Sequence, residues 1–224
     1  MESNNKSHEV NKINSEINEV DINLFEVCKS VCKIIYKNKI GTGFLIKLKK
    51  GAKDLLSLMT NEHIITQEII KSKEIIYINY GSENIINKIK KIKLDDKERI
   101  IKYDKIMDIV IIEIKPEDKI KEKYFLLPYN SDKKENLINK DIYIVQYPEG
   151  ENLSYSEGQI KQINNFELIY NGDTKLGSSG SPLLLKNSKE VLGIHKQSNI
   201  NNKEKYGTFI SSILQFLDED NKNI

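Results

Sequence analysis

The chain has 224 residues, enough to bury a sizeable core as one large all-β domain or two small subdomains. Thirty-five basic and thirty-three acidic residues leave a net charge of +2 without a long block of one sign, which excludes the basic footprint of a nucleic-acid binder. No eighteen apolar residues run together and the first twenty hold no apolar segment, so neither a membrane-spanning helix nor a secretory signal is expected.

Residues 1–21 are polar and unpatterned and read as a disordered tail. A helical turn capped by Asp21 is expected next, leading into "VCKSVCK" with Cys28 and Cys32. Both thiols are expected reduced and core-facing, and two cysteines with three histidines match no structural zinc spacing. The protein is therefore expected inside the cell, in the cytoplasm, with no metal or cofactor.

Short Ile-rich runs then follow one another with polar turns between them. Strands are expected at Cys32–Tyr36 and Gly43–Leu48, then in "LLSLMT", "EIIYINYG", "NIINKIKKIKL", "RIIKYD" and "MDIVIIEI". Together they make a first β-barrel over residues 22–116. Residues 117–135, charged and proline-bearing, read as a linker. The pattern resumes over 136–224 with "DIYIVQYP", "SYSEGQIKQI", "FELIYNG", "SPLLLKN", "EVLGIHKQ" and "YGTFIS". Ile210, Ile213, Leu214 and Leu217 recur at helical spacing and predict a short closing helix.

Three segments each place one chemically capable residue at the edge of an apolar run: His63 in "LLSLMTNEHII", Asp108 in "MDIVIIEI" and Ser179 in "GSSGSPLLL". Taken singly they are ordinary strand-end and turn residues. Together they supply what acyl transfer requires. A serine hydroxyl attacks only as a base removes its proton, and histidine does this near neutral pH. A carboxylate fixes the imidazole tautomer, and backbone N–H groups hold the oxyanion that develops. Gly177 lets the chain turn so that its own N–H and that of Ser179 point to one spot; Gly180 is expected to keep bulk away from the attacked carbonyl. Asp104 is the nearby rival carboxylate, but it sits in the charged stretch "YDKIM" rather than at the start of the apolar strand.

With "TNEH", "DIVIIEI" and "GSSGSP" in that order, and "GTGFLI" at 41–46 before the histidine, the chain resembles the chymotrypsin-like (trypsin-like) serine peptidases. The likeness spans roughly residues 25–218 and is strongest to the glutamyl-endopeptidase-like and intracellular trypsin-like branch. It implies an all-β fold of two packed six-stranded antiparallel β-barrels with a short C-terminal helix and an active site in the cleft between them. It also implies a serine endopeptidase acting on peptides or proteins, with His63, Asp108 and Ser179 as catalytic residues and Gly177 and Ser179 as the oxyanion hole. Ser178 stands where digestive relatives carry an aspartate, so activation by a buried terminal ammonium is not expected.

By the same resemblance "NGDTKLG" and "VLGIHKQS" line the specificity pocket. Thr174 and His195 match positions that hold a substrate carboxylate in glutamate-specific relatives, whereas Asp173 falls where trypsins read Lys or Arg. An acidic or small polar residue before the scissile bond is the expectation. The alternative is a catalytically inactive trypsin-like fold that binds peptides or proteins. An α/β-hydrolase is disfavoured because its triad runs Ser, acid, His along an alternating α/β chain.

Overall fold

The structure, a computed structural model, describes residues 8–9, 19–81, 88–130, 134–198 and 204–219. The first half opens with helix α1 (Glu19–Cys28) and carries strands β2 (Val31–Tyr36), β3 (Lys39–Lys50), β4 (Lys53–Thr60), β5 (Ile75–Tyr80), β6 (Lys88–Lys93), β7 (Ile101–Asp104) and β8 (Ile109–Glu113). A short helix, α2 (Gln67–Lys71), interrupts them and is capped by the Thr66 side chain. The second half carries β10 (Asp141–Gln146), β11 (Ser154–Asn164), β12 (Glu167–Gly172), β13 (Pro182–Leu185), β14 (Glu190–Ser198), β15 (Lys205–Phe209) and helix α3 (Ile210–Glu219). Two-residue strands β1 (His8–Glu9) and β9 (Leu127–Pro128) pair with β11 and β14 respectively.

The second half closes as a six-stranded antiparallel barrel, in the order β11-β10-β13-β14-β15-β12 with β12 pairing back onto β11. The first half is a seven-stranded sheet, β6-β5-β2-β3-β4-β8-β7, with no pair joining β6 to β7 among the described residues. The seven Ile-rich runs of that half all become strands, so it is a half-barrel with one strand more than the resemblance implied. The two halves still match the expected double barrel. Strand edges β6 and β7 fit their place: "KIKKIK" and "IKYD" carry lysines that blunt an open edge.

Burial alternates along β5 and runs unbroken through the central strands. β8 is flanked on both faces, and Ile109, Val110, Ile111 and Ile112 are all fully buried. The resulting core is continuous between the halves: Phe44, Ile46, Met59 and Ile111 belong to the same apolar cluster as Ile144, Leu183 and Phe209. A second cluster, with Ile34, Leu58 and Val110, fills the first half alone. α3 presents Ile210, Ile213 and Leu217 to the shared core, as its spacing predicts.

The expected tail over 1–21 lies largely outside the described residues, and within it His8–Glu9 pairs with Tyr155 and Ser154. α1 begins at Glu19, two residues before the Asp21 cap expected from sequence. Cys28 ends that helix and Cys32 lies in β2; both are free and buried, and burial pushes the Cys28 thiol up to about 12. Residues 117–130 are tied to the body, with Leu126 exchanging backbone bonds with Leu45 and Lys47 at 3.0 and 2.9 Å. The only arginine in the sequence, Arg99, makes a buried two-pronged ion pair with Asp118 at 2.9 and 3.2 Å. No helix among the described residues is long and apolar enough to cross a membrane.

Candidate active site

His63 stands in the turn after β4 and Asp108 in the turn before β8, two strands that pair directly. The ring Nδ1 lies 2.8 Å from Asp108 Oδ2, and the His63 backbone N–H donates to Oδ1 at 3.0 Å. Asp108 adopts a left-handed backbone, φ 54°, which aspartate tolerates better than most residues. Asn61, fully buried, donates from Nδ2 to the Asp108 carbonyl at 2.8 Å and so fixes that turn from behind. Asp104 accepts from the N–H groups of Ile106 and Met107 at 2.8 and 2.7 Å; it is a turn residue, turned to its own loop.

Ser179 lies on the second half and shares one cleft with His63. Its Oγ donates to the Lys196 carbonyl on β14 at 3.2 Å. The backbone around it is arranged by its neighbours. Among the described residues neither the Gly177 nor the Ser179 N–H has an acceptor. Each belongs to a planar peptide whose carbonyl, pointing the opposite way, is held. The Leu176 carbonyl accepts from the Glu149 N–H. The Ser178 carbonyl accepts from the Ser181 N–H at 3.1 Å and from Ser181 Oγ at 2.6 Å. Pinning the carbonyls aims the two N–H groups.

Gly177 and Gly180 both have φ +87°, the left-handed region that favours glycine. A side chain on Gly177 would meet the Tyr147 carbonyl at 2.7 Å. On Gly180 it would meet the Thr42 carbonyl at 1.9 Å, so the reason for that glycine is the strand β3 behind it, rather than room for a substrate carbonyl as expected from sequence. Thr42 joins the halves here. Its N–H donates to the Ser179 carbonyl at 2.9 Å, its Oγ1 donates to the Gly177 carbonyl at 2.8 Å, and Oγ1 accepts from the Tyr147 N–H at 3.1 Å.

The residues expected to read the substrate are placed as follows. His195 is buried, and its Nδ1 lies 2.6 Å from the Tyr170 hydroxyl. Burial, helped by the nearby Lys205 charge, pulls its pKa down to about 3, so it is neutral at physiological pH. Thr174 Oγ1 lies 2.8 Å from Ser198 Oγ. The Asp173 carbonyl accepts from Gln146 Nε2 and Ser156 Oγ at 2.9 and 2.7 Å, and the residue is half-buried. No cluster of three His, Cys, Asp or Glu residues able to hold a metal occurs among the described residues. Asn61, Thr42 and Ser181 are contributors the sequence reading did not single out.

Residues 41–194 match the family model of the trypsin-like peptidase domain. The chain belongs to that family. Among solved structures it is similar to the serine endoprotease of Yersinia pestis, with a TM-score of 0.65 at 16% identity over 92% of this chain and 69% of that one. It is also similar to the Rv3671c protease of M. tuberculosis in its active form, with a TM-score of 0.64 at 19% identity over 86% and 81% of the two chains. The inactive form of Rv3671c gives 0.63 at 19% identity over 86% and 89%. At these identities the structures establish the fold. No curated protein matches the sequence. The domain and fold are of the serine-protease kind, for which peptides or proteins are the substrates; the glutamyl-endopeptidase branch is not singled out by these matches.

Proposed function

We propose that the protein is a serine endopeptidase with Ser179 as nucleophile, His63 as general base and acid, and Asp108 as the carboxylate that orients it. What supports this most is the Asp108 carboxylate bonded to His63 Nδ1 at 2.8 Å, which leaves Nε2 for the cleft that Ser179 also lines. In the reaction the Ser179 hydroxyl turns from the Lys196 carbonyl, a side-chain rotation on the ps–ns scale. Its proton passes to His63 Nε2 as Oγ attacks the substrate carbonyl. The carbonyl oxygen, now negative, is held by the N–H groups of Gly177 and Ser179. His63 then gives the proton to the departing amine, and water repeats the sequence on the acyl-enzyme.

The proposal extends to an acidic residue before the scissile bond. Its support is the Thr174 hydroxyl and the positive Lys205 near His195, since a neutral His195 bonded to Tyr170 brings no charge of its own. A Glu peptide cleaved no faster than its Gln counterpart refutes that extension alone.

The second reading, a silent fold that binds peptides, is favoured by the Ser179 hydroxyl donating to Lys196 rather than to His63. A fluorophosphonate separates the two. The peptidase reading expects covalent labelling that maps to Ser179 and vanishes in Ser179→Ala, together with peptide cleavage. Folded wild-type protein that takes no label would leave only the binding module.

A further inference from the structure

We infer that the enzyme reads the residue immediately after the scissile bond, and selects a large apolar side chain there. The inference rests on the peptidase reading above. It starts from the cleft of about 400 Å³ that holds His63 and Ser179. Its lips are formed by Ile40 on β3 and Leu176 in the turn before Ser179, and Ile64 lies within. Ile40 is 47% exposed and Leu176 88% exposed, two large aliphatic side chains set in water beside the reactive pair. Apolar surface of that kind next to a reactive centre marks a place for apolar contact.

The backbone of one lip is held and the side chain of the other is packed. Leu176 is held through its carbonyl by the Glu149 N–H. Ile40 sits against Gly150, where an added Cβ would meet its Cγ2 at 2.9 Å, and Ile64 lies so close over Gly41 that a Cβ there would meet its Cδ1 at 2.5 Å. An incoming side chain therefore meets packed Ile40 and Ile64 and, across from them, a Leu176 whose backbone is already placed. At the rim Glu149 pairs with Lys175 at 3.2 Å, and Lys39 lines the same cleft as a competing positive charge, which capture by aspartic acid amide weighs against the apolar lips.

The chemistry tells which part of the substrate lies here. The acyl half stays bonded to Ser179 Oγ, which faces the Lys196 carbonyl of β14. The amine half must lie beside His63, which gives it a proton, and His63 shares this cleft with Ile40 and Ile64.

Acyl-enzyme partitioning isolates that half. An ester substrate forms the acyl-enzyme, and leucinamide, phenylalaninamide, glycinamide or aspartic acid amide competes with water for it. Leucinamide and phenylalaninamide are expected to capture the acyl group about tenfold better than glycinamide, the scale of one apolar side chain in a pocket. In Leu176→Ser and Ile40→Ser that ratio is expected to fall towards one; being internal to each variant, it is unaffected by a general loss of rate. Equal capture of all amides by wild type, or an unchanged ratio in both variants, overturns the inference while leaving the peptidase reading intact. An absent acyl-enzyme with Ser179 unlabelled by fluorophosphonate overturns both.

Discussion

Asp108 grips His63 twice, through the ring Nδ1 at 2.8 Å and through the backbone N–H at 3.0 Å. The carboxylate thereby sets both the tautomer of the imidazole and the position of the turn that carries it. Asp108→Asn keeps a side chain that accepts the left-handed backbone, but offers an amide N–H where one of two acceptors stood. We expect kcat to fall by about 10⁴-fold with the thermal unfolding midpoint little changed, from steady-state kinetics beside a melting curve.

Ser181 bears on the proposed oxyanion hole through a carbonyl. Its hydroxyl supplies one of the two bonds that hold the Ser178 carbonyl, and the peptide so held carries the Ser179 N–H. Ser181→Ala is expected to lower kcat by about 10–100-fold with KM nearly unchanged, since the lost aim matters when charge develops on the substrate oxygen. Ser181→Thr should restore much of the rate. A rise in KM alone would contradict this role.

The buried His195 makes stability depend on acid. Its folded pKa is about 3 against an ordinary 6.5, because burial disfavours the charged ring. Between these values the unfolded chain takes up a proton that the folded chain refuses. Stability from this group is therefore complete above pH 6.5 and declines as the pH falls towards 3. The slope is up to about 1.4 kcal/mol per pH unit. His195→Gln, which cannot titrate, should flatten the denaturation midpoint against pH in that window.

Arg99 bonds the Asp118 carboxylate with two nitrogens and the Glu113 carbonyl at 2.6 Å, nearly out of water. Removing one partner strands a buried charge. Arg99→Ala is expected to cost about 3–5 kcal/mol in urea unfolding, and Arg99→Met combined with Asp118→Leu distinctly less.

Strands were legible because they are short, Ile-rich and separated by polar turns; each of the thirteen runs read from sequence became one. Part of one, "NIINKIKKIKL", falls outside the described residues, and β6 is its visible portion. The closure of only one barrel was not legible, because alternation along a strand does not say whether two edges meet. His63, Asp108 and Ser179 could be picked out by residue type and order. Thr42 could not, since its partner Gly177 is 135 positions away and a threonine in a strand is ordinary. His195 was visible as a histidine, but its engagement with Tyr170 depends on two strands that meet only through β15.

The approach of β3 to Gly180 leaves no space for even a methyl group, and the same strand anchors both Gly177 and Ser179 through Thr42. The turn that carries Ser179 thus borrows its shape from the opposite half of the molecule. Prising the seam apart, by heat, a cut between the halves or a wedge-like ligand, is expected to disturb the proposed centre, whose His63 and Asp108 stand on one half and whose Ser179 stands on the other.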